Sequence, residues 1–194
     1  SKGINVSVLL LVASDSAFEQ KLQTQGINVM SVNLRLGLFD PRLILRLRRL
    51  MRDADVVHTH LFPTQYWAAL ANCIGDRRVM VTTEHSTSNT RAQHWVTSQL
   101  DTCIYGLYDG VICISEAVAN FMRKRTPRHV EIRCIDNGVV LPSVDMLVRT
   151  KRTEVVEGLA DTDFVMLQVA RFSDQKNQDC VIRSLKLLPD NVHA

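Results

Sequence analysis

Asp55-Val56-Val57-His58-Thr59-His60 is a strand-length apolar run with a polar end, and Arg78-Val79-Met80-Val81-Thr82-Thr83 is another; the stretch between them, Pro63 to Ile74, has helical periodicity. That order is the β-α-β unit, two parallel strands joined by a crossover helix. Working toward the N-terminus, Val6 to Ala13 reads as a buried strand, Ser16 to Gln25 as a helix ended at Gly26, and Ile27 to Leu34 as a further strand. Asp40-Pro41 supplies a cap and a first-turn proline for a helix to about Asp53. Leu43, Ile44, Leu47, Leu50 and Met51 fall on one side of it, and Arg42, Arg46, Arg49 and Arg52 on the other.

Toward the C-terminus a polar loop, Glu84 to Thr90, leads into a long helical stretch to Tyr108. Gly110 to Ile114 is a strand, Ser115 caps a helix from Glu116 to Arg125, and Val130 to Ile135 is a strand stopped by a turn at Asp136-Asn137-Gly138. From Val139 the texture changes to a linker, a charged helical pattern (Val144 to Leu159), a buried strand (Phe164 to Ala170) and a helix from Asn177 to about Leu188. The alternation predicts an α/β protein with a Rossmann-like, doubly wound parallel sheet. The expected domains are residues 1–140, a linker and connecting helix over 141–160, and the start of a second Rossmann-like domain over 161–194, cut short because one strand and one helix cannot build a core.

With 194 residues, 46% hydrophobic and 22% charged, the chain has the composition of a globular protein. A net charge of +3 without a basic arm or interleaved aromatics does not point to nucleic acid. No apolar run reaches the roughly 20 residues of a membrane-spanning helix. The five cysteines form no C-x-x-C pair and fall largely in apolar runs, which predicts buried thiols in a reducing, cytoplasmic compartment. The opening Ser1-Lys2-Gly3 reads as a truncated start. Neither G-x-G-x-x-G nor G-x-x-x-x-G-K occurs, so hydride transfer and nucleotide hydrolysis lose their usual signatures.

In doubly wound sheets ligands bind beyond the carboxyl ends of the strands. His60, Glu84, His85, Ser115, Asn137 and Gly138 occupy such ends, as do Arg171 through Lys176 in the second domain. Arg171 and Lys176 bracket a loop before a helix, where two cations and a helix N-terminus can meet one anion; a solvated loop is the plain alternative. His58 and His60, two apart on a strand, share a face, but no third ligand stands at a zinc-motif spacing, and no metal is expected. Ser115 is first a helix cap and Asn137-Gly138 first a turn. The arginine face of the Asp40 to Asp53 helix is either a solvated surface or a contact for a membrane surface or an anionic acceptor.

Together these segments resemble the retaining glycosyltransferases of the GT-B fold in the group called family four. Asp55 to His60 resembles the family's D-V-V-H-x-H strand, Thr83-Glu84-His85 its T-x-H segment, and Ile114-Ser115-Glu116-Ala117 its V-S-E-A helix start. Ile135-Asp136-Asn137-Gly138-Val139 resembles its I-x-N-G-V, and Val169 to Asn177 its G-R-L-x-x-x-K-G donor-domain opening, with Ala170 and Asn177 replacing glycines and narrowing the loop's backbone freedom. The resemblance implies transfer of a sugar from a nucleotide-diphosphate sugar to a hydroxyl acceptor, with retention and without a metal. It implies that His85 orients the reacting groups, that Arg171 and Lys176 hold the donor diphosphate, and that His60, Glu84, Ser115, Asn137 and Gly138 line the acceptor cleft. The family's first strand with its glycine-rich loop, and its paired glutamates, are not found within the chain, so residues 1–194 alone are expected to be inactive. Two rival readings keep the fold: a non-catalytic binding module, and a sugar-nucleotide epimerase.

Overall fold

The computed structural model describes residues 3–13, 15–32, 39–87, 94–139, 141, 158–160, 162–189 and 191–193. The chain divides into two compact units, Ser1–Gly138 and Val139–Ala194. The first alternates β1 (Ser7–Leu10), α1 (Ala17–Thr24), β2 (Asn28–Ser31), α2 (Leu43–Leu50), β3 (Val56–His60), α3 (Thr64–Asn72), β4 (Val79–Glu84), α4 (Trp95–Tyr105), β5 (Gly110–Cys113), α5 (Glu116–Arg123) and β6 (Glu131–Cys134). β1 pairs with β2, and β3-β4-β5-β6 form a four-stranded sheet; all these pairings are parallel.

Local chemistry sets the helix ends. Ser16 Oγ accepts the Glu19 amide at 3.3 Å to open α1, and Gly26 at φ 77° follows its end. The Asp40 carboxylate, fully buried, accepts the Arg42 amide at 3.0 Å and the Arg42 guanidinium at 2.6 Å. The turn before α2 is closed by the Leu43 amide on the Asp40 carbonyl, so the regular helix begins later than the proline suggests. Leu43, Leu47 and Met51 are buried and Arg42, Arg46, Arg49 and Arg52 exposed, as the periodicity predicts.

Strand parity builds the core of the first unit. Val57, Thr59, Met80, Thr82, Val111 and Cys113 share one sheet face by register and lie under α3, α4 and α5, which contribute Ala68, Ile104, Tyr105, Val118 and Met122. Val56, His58, His60 and Val79 occupy the other face and are exposed. Among the described residues the face that carries the histidines is exposed along β3, whereas Thr83 on the same face of β4 is buried.

Several expectations fail. Only Cys113 is buried; Cys73, Cys103 and Cys180 are exposed at α3's end, on α4 and on the last helix, and Cys134, which shares the face of Cys113, is exposed at the end of the outermost strand β6, because membership of an apolar run does not decide whether a neighbour covers a residue. Ile135 to Val139 leave β6 without turning, and neither Asn137 nor Gly138 takes a positive φ. The predicted strand from Phe164 to Ala170 is reduced to β7 (Phe164–Val165), which pairs with β8 (Val192–His193) across α6 (Gln178–Leu185). Leu167 and Val169 are 85% and 88% exposed, since nothing among the described residues of this unit covers them, and Leu159 is its one buried described residue. The charged pattern Val144 to Leu159 lies mostly outside the described residues.

Candidate active site

Parallel pairing sets the carboxyl ends of β3, β4 and β5 side by side, with His60 opposite Thr83 and Glu84 opposite Cys113. His60 and His85 come together, ring centroids 5.9 Å apart, and His58 and His60 stack at 4.3 Å. His58 Nε2 is 2.7 Å from Thr83 Oγ1. Partial burial, with the charge of a neighbouring imidazole second, lowers the pKa of His58 (from His60) and of His60 (from His85), so both favour the neutral form. Leu61, directly after β3, sits at φ 62°, a left-handed conformation unfavourable for a bulky residue, and turns the chain away behind His60. Among the described residues no group of three His, Cys, Asp or Glu side chains could hold a metal ion.

Glu84 is half-buried and held from below. Its Oε1 accepts Gln65 Nε2 and the Tyr105 hydroxyl, each at 2.5 Å. The second Gln65 amide proton goes to Thr82 Oγ1 at 2.9 Å, and the Thr82 hydroxyl donates to the Thr59 carbonyl at 3.3 Å. Tyr108 donates its proton to the Gln65 carbonyl at 2.7 Å, which leaves Thr59 Oγ1 as the donor to the Tyr108 oxygen at 2.9 Å. Burial raises the Tyr108 pKa far above its usual value, against the opposing pull of Thr59. Burial, with the Glu84 charge second, pushes the Cys113 thiol up to about 11. The chain of bonds fixes the Glu84 carboxylate at the carboxyl end of β4, next in sequence to His85, whose imidazole is exposed.

Ser115 caps α5, its Oγ accepting the Val118 amide at 3.4 Å, and Asn137 and Gly138 follow β6 and are exposed. In the second unit Arg171 precedes and Lys176 ends a 3₁₀ turn, Asp174–Lys176, and both are exposed. Gln178 Nε2 donates to the Arg171 carbonyl and Gln168 Nε2 to the Lys176 carbonyl, each at 2.9 Å, closing the loop. Asn177, in the place of the expected glycine, takes φ 50° and ψ 44°. The left-handed conformation is thus kept, since Asn tolerates it better than other side chains. Sequence reasoning missed Gln65, Tyr105 and Tyr108; the one trace of them is a glutamine and two tyrosines within helical stretches otherwise read as apolar.

Residues 1–141 match the family described as Glycosyltransferase Family 4, and the chain belongs to it. Among solved structures, that of Anabaena Alr3699/HepE, in complex with UDP and glucose, aligns with 96% of this chain at 21% identity and a TM-score of 0.71. The likeness shows the fold, a GT-B-type Rossmann-like architecture, and the chain spans about half (51%) of the length of that protein. No curated protein matches the chain by sequence.

Proposed function

We propose that this chain serves a glycosyltransferase that moves a sugar from a nucleotide-diphosphate donor to a hydroxyl acceptor, with retention and without a metal. Residues 1–140 form the acceptor side, 141–160 the connection, and 161–194 the opening of the donor side. One observation carries the reading: the strands matched to the family bring His60, Glu84 and His85 to the carboxyl end of the sheet, where the two imidazoles meet on one face and two side chains, Gln65 and Tyr105, hold Glu84 on the other. Such prior fixing of polar groups is what a site for orienting reactants requires. His85 positions the reacting groups, with His60 and Glu84 beside it on the acceptor and Ser115, Asn137 and Gly138 along the cleft. Arg171 and Lys176 neutralise the leaving diphosphate, as charge-assisted contacts do. Two cations make only part of a donor site, so the 194-residue chain should show no transfer by itself. The enzyme works in the cytoplasm.

Nuclear magnetic resonance on the chain tests both ends of this assignment. Titrated UDP should move the amides from Arg171 to Asn177, UMP should do so far less, and a simple glycoside should shift the imidazoles of His60 and His85. Equal responses to UDP and UMP, or none to either, would remove the diphosphate role. Silent histidines would remove the acceptor role.

A further inference from the structure

Two thiols stand at the carboxyl end of the sheet, and the chemistry above uses neither. Cys113 closes β5 and Cys134 closes β6, and the parallel register sets them directly opposite each other on one face. Neighbouring strands run about 4.8 Å apart, which falls inside the span of roughly 4.4–6.8 Å that the Cα atoms of a disulfide occupy. Side chains opposite one another on one face point the same way, so neither sulfur has to cross the sheet. The Ile135 amide donates to the Cys113 carbonyl at 2.9 Å, which keeps this end of the pairing closed. β6 is the outermost strand among the described residues, so its end has room to adjust on one side.

The two differ in access. Cys134 is exposed, whereas Cys113 is fully buried, so an outside reagent meets Cys134 first and reaches Cys113 only through it. Burial, then the charges of Glu84 and Cys134, raises the Cys113 pKa to about 11; the two sulfurs sense each other across the strands. Partial desolvation, then the Asp136 and Glu116 charges, raises the pKa of Cys134, with Arg123 pulling against them. Both thiols are thus mostly protonated near neutral pH and resist casual oxidation. Once Cys134 carries a mixed disulfide, Cys113 is held beside it, and that high local concentration offsets its small thiolate fraction.

We propose that Cys113 and Cys134 form a redox modification site, closing to a cross-strand disulfide by exchange with a low-molecular-weight disulfide. The Cys134 thiolate attacks one sulfur of the small disulfide; that S–S bond breaks, and the departing thiolate takes up a proton. The Cys113 thiolate then attacks the Cys134 sulfur and expels the second small thiolate, which is protonated in turn. Two protein thiols are oxidised, and one small disulfide is reduced to two thiols. In a reducing compartment the pair stays open, and it closes when small disulfides accumulate. Cys113 stands opposite Glu84 in the register, and Asn137 and Gly138 follow Cys134 by three and four residues. The bond therefore ties together strand ends that the glycosyl-transfer reading sets along its cleft, while the exchange itself does not depend on that reading.

The test exposes to oxidised glutathione the 194-residue chain carrying Cys73→Ser, Cys103→Ser and Cys180→Ser, all at exposed positions, so that only the proposed pair remains. At about pH 8.5, near the ordinary thiol pKa, intact mass should show the loss of two hydrogen atoms with little glutathione retained. After trypsin, the peptide with Cys113 should be joined to the peptide with Cys134. Cys113→Ala in that background should instead accumulate glutathione on Cys134, roughly tenfold more than its parent. Cys134→Ser should leave Cys113 unmodified, since no outer thiol then passes the reagent inward. The oxidised parent should unfold at a higher urea concentration than the reduced one, because the bond closes residues 114–133 into a loop, and dithiothreitol should reverse the change. Equal glutathione retention with and without Cys113 would overturn the proposal, as would no response at either cysteine. Chains linked through Cys134 on a non-reducing gel would assign that thiol to a second copy and refute the pair. A lower urea midpoint after oxidation would show that the native strand pairing cannot hold the bond, which refutes it equally. Because no transfer is measured, failure here leaves the resonance titrations to judge the glycosyl-transfer reading separately.

Discussion

Replacing Tyr105 by Phe removes one hydroxyl that is 2.5 Å from Glu84 Oε1, on a side chain only 3% exposed. A hydrogen bond to a charged acceptor typically contributes about 1.5–3 kcal/mol, and removing the donor hydroxyl opens almost no cavity because the ring stays. Glu84 is half-buried and keeps Gln65, so the lower half of that range applies, about 1.5–2 kcal/mol. For a chain of this size that corresponds to a fall in Tm of about 3–8 °C. Both tryptophans, Trp67 and Trp95, lie in the first unit, so intrinsic fluorescence during urea unfolding reports on the part that contains the bond. The midpoint should drop with no change in slope. In a Glu84→Ala background the same substitution should cost at least about 1 kcal/mol less, because the acceptor is already gone. Equal costs in both backgrounds would refute the idea that Tyr105 serves to hold Glu84.

The depressed pKa values of His58 and His60 mean that the unfolded chain binds more protons than the folded one around their ordinary value near 6.5, so stability should fall as pH drops below it; His58→Gln should flatten that part of a pH–stability profile, and an unchanged slope would contradict the assignment. Asn177→Ala should destabilise the Arg171–Gln178 loop by about 1 kcal/mol while Asn177→Gly leaves it nearly unchanged, as read by amide exchange. Ser115→Ala should cost about 1 kcal/mol through loss of the α5 cap, measurable by denaturation. A neutral disulfide reagent should modify Cys73, Cys103 and Cys180 before Cys134, whose pKa is raised by burial and the Asp136 charge, and should leave no adduct on Cys113, whose burial and raised pKa both oppose thiolate formation. Amide exchange should also be faster throughout Phe164–His193 than in β3 to β6, since almost nothing there is buried.

The order of strands and helices, the parallel sheet and the strand-end positions of His60, Glu84 and His85 follow from local pattern. An apolar run bounded by polar residues, then a helical period, can be read without knowing any neighbour. The arginine face of α2 was legible for the same reason, being a matter of spacing along one helix. Where the reading depended on neighbours it failed. The cysteines in apolar runs proved mostly exposed, and Phe164 to Ala170, apolar enough for a buried strand, paired at only two residues because burial requires partners on both faces.

The clamp on Glu84 was legible nowhere. Gln65 and Tyr105 stand 19 and 21 residues from Glu84, and Tyr108 stands 49 from Thr59, so each bond depends on strand register and helix packing that no local window contains. The sequence by itself determined which residue types end the strands, because alternation and polarity are local. Only the tertiary structure decided that His58, His60 and His85 gather on one side of the sheet while Gln65, Tyr105 and Tyr108 meet on the other, because parity sends successive side chains to opposite faces and packing then selects what covers each.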